Sequence, residues 1–227
     1  MRINFIESTT SSFSTLNQQS PNPGEIWELS RFVRSPLQFS SQEQQNLYSD
    51  SARKFLGGNS SPRYVMIVRE PEPVVEQEAE WQIVWVMLFS LNTSFLNNVD
   101  VLIPSNISGI GQDLLAETWN VQAMLACNLS HSVGQRLSRE VYDLLLTVGD
   151  YYHGLVDEAP SMQEIHLLGL KVEAVSTKQQ EEIQAFHRQE EAWSDVLKVP
   201  LAAYRTYLKT MKLTDAILDL LQKSSLG

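Results

Sequence analysis

Trp81-Gln-Ile-Val-Trp-Val-Met-Leu-Phe89 is the stretch whose reading decides the fold, apolar at every position but Gln82. A run this short, rich in β-branched and aromatic side chains, predicts a buried strand rather than a helix. Downstream, the polar segment 91–98 leads to a short strand over Val99–Ile103, stopped by Pro104. Two further strands are predicted over Leu114–Trp119 and Val121–Leu125, joined at Asn120, with Gly109-Ile-Gly111 a turn before them. A helix capped by Ser138 follows, with Val141, Leu144, Leu145 and Val148 at helical spacing. Upstream, Tyr64–Val68 reads as a strand closed by Pro71 and Pro73, and the acidic stretch Glu70–Glu80 as a solvated hairpin loop. A helix over Ser41–Phe55 is predicted, with a capping box at Ser41 and Gln44 and a stop at Gly57-Gly58. Ile26–Leu29 supplies one more strand after the breaker cluster Ser20–Pro23. This order predicts an α+β chain built on a small barrel of about five to seven strands.

After Pro160 the pattern becomes helical. Ser161 is placed to cap a helix reaching Leu170, and Thr177 with Gln180 to cap a second carrying the stripe Ile183, Phe186, Trp193 and Leu197. Pro200 suits the first turn of a third. The expected organisation is an arm over residues 1–22, a β-barrel domain over 23–155 and an α-helical extension over 156–227.

The net charge of −10 excludes a generic polyanion binder unless basic groups are gathered locally. They are not gathered in the barrel region: residues 1–160 carry 9 Lys and Arg against 18 Asp and Glu. A single cysteine, Cys127, rules out an intrachain disulfide and reads as a small buried hydrophobe. Residues 1–20 lack the apolar core of a secretory signal, and the longest apolar run is far below the roughly 20 residues of a membrane helix, so a cytoplasmic protein is expected. His131, His153, His166 and His187 lack metal-ligand spacing, and neither a metal nor a cofactor is expected.

The order of these segments resembles the MazF/PemK-like toxins. Pro23-Gly24-Glu25-Ile26-Trp27 is similar to that family's opening Gly-Asp/Glu-Ile-Trp strand, Pro62-Arg63-Tyr64-Val65 to its Arg-Pro-x-x-Val strand, and Val86–Ser90 to its strand ending in Thr or Ser. Val133–Val141 is similar to the Gly-x-Leu-Ser segment before the terminal helix. The resemblance covers about residues 23–150. It implies an SH3-like barrel and, in active members, a metal-independent ribonuclease whose arginine and hydroxyl would here be Arg63 and Ser90. It also implies a toxin–antitoxin, stress or defence setting with an antitoxin-like or regulatory protein partner. In this chain Tyr64 replaces the proline after the arginine, and the loop 57–62 carries no Lys or Arg.

Simpler roles stand beside these. Arg63 at a strand start suits a surface ion pair with Glu25 or Glu28, and Ser90 a hydroxyl bonded to its own backbone. Trp27, Trp81, Trp85, Trp119 and Trp193 suit a core in preference to a binding face, and Tyr151-Tyr152-His153 the junction with the tail. Trp193, Tyr204, Leu208 and Met211 are the candidate partner-binding residues, on stripes able to fold back, dimerise or receive a partner's helix. The favoured expectation is a non-catalytic interaction or regulatory module, with a single-stranded-RNA endoribonuclease as the alternative.

Overall fold

The structure, a computed structural model, describes residues 20–73, 81–174 and 179–224, with side chains to residue 212. Residues 1–19 of the expected arm, most of the acidic loop and Thr177 lie outside the described residues. The strands are β1 (Ile26–Leu29), β2 (Tyr64–Pro73), β3 (Gln82–Ser90), β4 (Asp100–Ile103), β5 (Leu114–Leu125) and β6 (Leu129–Val133). All pair antiparallel in one six-stranded sheet of order β4-β5-β3-β2-β1-β6. The central strand is the one the opening stretch predicts.

Three strand expectations need correction. Leu114–Leu125 is one continuous strand, not two joined at Asn120. Asn120 is buried and its side-chain amide donates to Glu117 Oε2 at 2.7 Å, so a residue that usually marks a turn has its polar group satisfied inside the sheet. β2 runs through Pro71 to Pro73. β6, with the sequence LSHSV, is an edge strand whose polar residues are exposed, so it gives no apolar signal.

The sheet is open, not a closed barrel. β4 and β6 are its edges and do not pair. The gap is crossed by a loop contact instead: Gln135 N donates to Ser108 O at 2.8 Å and Gln135 Nε2 to Ile107 O at 2.7 Å, joining the end of β6 to the short helix α3 (Ser105–Ser108). Both sheet faces are covered, which explains why β3 reads as an unbroken apolar run rather than an alternation. Met66, Met87, Phe89 and Ala116 face one core with Val141, Leu145, Val148, Ile165 and Leu170. Val65, Ile67, Val84, Val86 and Leu88 face the other with Phe55, Trp193, Val196 and Leu197. A barrel leaves its outer face to solvent; here helices from both ends of the chain occupy it.

The predicted helix over 41–55 is split into α1 (Ser41–Leu47) and α2 (Asp50–Leu56) at the extended Tyr48, and the capping box is Ser40 with Glu43. α4 (Arg139–Tyr152) is capped by Ser138, whose Oγ accepts from Val141 N. α5 (Met162–Leu167) is shorter than expected, capped by Ser161 with Glu164. α6 (Gln180–Trp193) is followed at once by α7 (Asp195–Ser224), in which Pro200 sits inside the helix and not at its start. Trp85 is 41% exposed, and Tyr151 and Tyr152 are exposed rather than packed at a junction.

Candidate functional site

One cleft, of about 430 Å³, contains both residues singled out from the sequence. Its walls come from α2 (Asp50, Ser51, Lys54), the loop 60–62, the start of β2 (Arg63), the end of β3 (Ser90, Leu91, Asn92) and α6 (Gln189, Glu190, Trp193). Strand pairing sets this geometry. Tyr64 stands opposite Phe89, so the residue before β2 and the residue ending β3 emerge at the same end of the sheet.

Arg63 does not pair with Glu25 or Glu28. Its Nη1 and Nη2 donate to Glu190 Oε2 and Oε1 of α6 at 2.6 and 2.9 Å, a two-pronged bond across 127 residues of sequence. The guanidinium also lies 4.6 Å from the Trp193 ring centroid. Trp193 in turn meets Phe55 edge-on. Ser90 is buried, and its Oγ accepts from Asn92 N at 3.1 Å, the local backbone bond expected of a strand-end hydroxyl.

Beneath this pair lies a second carboxyl group. Glu117 of β5 is fully buried, and burial together with the neighbouring Glu190 charge pushes its pKa well above the usual carboxylate range. Its Oε2 accepts from Asn120, but Oε1 has no donor. As a neutral acid, Glu117 can donate from that oxygen to Glu190, whose two oxygens already hold Arg63. The cluster is therefore arginine, carboxylate and carboxylic acid in sequence. Close by, α6 makes another polar anchor: His187 Nε2 meets Asp100 Oδ2, and the His187 ring lies 4.3 Å from that of Trp119, whose Nε1 donates to Asp100 Oδ1. Phe186 stacks on Phe95 at 4.4 Å.

Chemically, this arrangement can hold a positive fork in a fixed orientation, but the fork is already filled. Among the described residues, the hydrogen bond of Ser90 Oγ is the one it accepts from a backbone amide, Asn92 N. Of the candidate partner-binding residues, Trp193 and Tyr204 lie in the chain's own cores, at 2% and 0% exposure, Leu208 is half-buried, and Met211 is exposed. Glu117, Glu190, Asp100 and His187 were not singled out by the sequence. The signal for Glu190 and His187 was their helical register with Phe186 and Trp193, which puts all four on the inward side of α6.

No family model and no curated protein matches this chain. Among solved structures, one similar chain is the Mycobacterium tuberculosis toxin MazF-mt6, at 19% identity over 43% of this chain and 91% of that chain, with a TM-score of 0.32. At that score the overlap assigns neither a family nor an activity.

Proposed function

We propose that this chain is a non-catalytic protein-interaction module, a regulatory component of a bacterial toxin–antitoxin, stress or defence system. The observation that carries the non-catalytic reading is the two-pronged Arg63–Glu190 bond. A cation meant to stabilise charge on a reacting phosphate must have its donors free or water-bound, and here a buried carboxylate from the same chain takes both prongs. The acidic surroundings point the same way, because phosphate contacts dominate nucleic-acid affinity and residues 1–160 carry twice as many acids as bases. The setting rests on the order of sequence motifs that resembles MazF/PemK-like proteins.

The partner-facing part of the tail is then the end of the stripe that the chain does not bury, Met211 with the outer side of Leu208. Trp193 and Tyr204 build the seat on which that stripe rests. The endoribonuclease reading keeps one observation in its favour, the meeting of Arg63 and Ser90 in one cleft. Incubating the purified chain with single-stranded RNA in the presence of a chelator separates the two. The expected result is intact RNA from both the wild type and Arg63→Ala. Metal-free cleavage by the wild type that Arg63→Ala abolishes would overturn the module reading.

A further inference from the structure

The contact between α6 and the rest of the fold is marked by two pairings between titratable side chains. α4 lies on β5 mainly through Val141, Leu145 and Val148, and the start of α7 is held mainly by Val196, Leu197 and Leu201, each helix adding a bond to the backbone, Tyr142 Oη to Val68 O and Ser49 N to Asp195 Oδ2. α6 instead inserts two polar groups, Glu190 on Arg63 and His187 on Asp100, beside the aromatic contacts of Phe186 and Trp193.

The same contact holds the imperfections of the interior. Among the described residues, the two buried side-chain polar atoms without a partner are Glu117 Oε1 and Trp193 Nε1, and both lie at the seat of α6. A buried unmet donor or acceptor lowers the stability of the state that contains it. Burial and the neighbouring Glu190 charge favour the protonated form of Glu117. Local openings in proteins concentrate where docking is least well satisfied.

What α6 covers has its own chemistry. The two oxygens of Glu190 sit on the Arg63 fork as the oxygens of an external carboxylate or phosphate would. Lys54, which lines the cleft from α2, has no ion pair or side-chain hydrogen bond among the described residues, whereas Asp50, one turn earlier on the same helix, is bound to Arg53. Ser90 and Asn92 add polar groups at the far side. From this we infer that α6 is a releasable latch: Glu190 serves as an internal oxyanion on Arg63, and withdrawal of α6 opens a binding site for a small phosphate- or carboxylate-bearing ligand. The inference goes beyond the interaction-module reading, which describes the closed form with Glu190 on Arg63, and that reading is tested by the RNA assay while the latch is tested by anion binding and exchange.

The test uses the full chain and two probes, inorganic phosphate and succinate, titrated separately while the backbone amides of Ser90 and Asn92 are followed by NMR. Glu190→Gln keeps the side-chain volume and removes the competing charge. It is expected to bind at least one probe about tenfold more tightly than the wild type, a difference of the size of one charge-assisted hydrogen bond. Adding Arg63→Ala to it is expected to abolish the gain. Phosphate alone shifting these amides assigns a phosphate ligand, and succinate alone a carboxylate. Equal, negligible binding by the wild type and folded Glu190→Gln overturns the proposal. Native-state hydrogen exchange on the wild type tests the latch without any variant. The amides of α6 are expected to exchange at least about tenfold faster than those of Val86 and Leu88 in β3. Exchange of α6 only with global unfolding means that it does not release, and overturns the proposal as well.

Discussion

Glu117 is the residue whose protonation the fold controls most directly. Its pKa is raised by burial first and by Glu190 second, while Asn120 and Arg63 pull it the other way. The folded state therefore holds a proton that the unfolded chain gives up at the ordinary value of about 4.5. This contribution to stability is complete below that pH and is lost as pH rises through the folded value. Glu117→Gln keeps an acceptor for Asn120 and a donor for Glu190 at every pH. It is expected to flatten the fall in urea midpoint as pH rises above the ordinary carboxylate value and to be the more stable protein at the alkaline end. An unchanged pH slope in the variant would show that Glu117 is already ionised in the native state. Arg63 and Glu190 call for a different measurement. Removing Arg63 leaves the buried Glu190 carboxylate without its counter-charge, so Arg63→Ala is expected to cost about 3–5 kcal/mol. Arg63→Ala with Glu190→Ala is expected to cost less than the two single losses together, as read from a denaturation double-mutant cycle. Little of this was legible in the sequence. Arg63 stood out by its motif, but Glu190 sits among Glu181, Glu182 and Glu191 in one polar helix, and only register with Phe186 and Trp193 separates it from them.

At the scale of the element, the close approach of α4 to β5 rests on one missing methyl group. A Cβ on Gly149 would stand 2.5 Å from Thr118 O, a backbone atom held by the sheet. Alanine is the better helix former by about 1 kcal/mol, yet here it must push the helix from the strand. Gly149→Ala is expected to destabilise by about 1–3 kcal/mol in chemical denaturation. Gly111→Ala, where a Cβ meets nothing within 4 Å, is expected to fall within about 0.5 kcal/mol of the wild type. Equal midpoints for the two variants would remove the case for tight packing. Strand legibility followed the same logic of contact. β3 and the first half of β2 announce themselves because both of their faces are buried, so neither polar residues nor turn signals interrupt them. β6 was invisible because its outward residues are exposed and hydroxylic, and its only guide is pairing with β1, which local sequence does not encode. Asn120 misled because its turn propensity is overridden by a buried partner, Glu117, that the sheet brings to it.

Across the whole molecule, the question is whether the helices after residue 160 are an appendage or half of the structure. The sequence shows a change of pattern there and suggests a boundary, but it cannot show which faces the new helices cover. The structure places Trp193, Val196 and Leu197 against Val65, Ile67 and Val86, and Leu201 and Tyr204 against Ala123 and Leu125. Each large side chain buried in this way contributes about 1.5–3 kcal/mol, so these five together supply on the order of 10 kcal/mol. That is comparable to the entire stability of an ordinary domain, about 5–15 kcal/mol. A chain ending at Glu173 would strip Trp193, Val196 and Leu197 from one face of the sheet, leaving Tyr48, Ala52 and Phe55 there, and would leave the Arg63 guanidinium without Glu190. It is expected to lose its near-UV circular dichroism, bind a hydrophobic dye and unfold without a sharp transition. If that shortened chain instead keeps a cooperative transition and native near-UV signal, residues 23–155 fold on their own, and the division into a β domain and a helical extension holds. The magnitudes favour the first outcome, because Tyr48, Ala52 and Phe55 are then left to cover the second apolar face without Trp193, Val196 and Leu197.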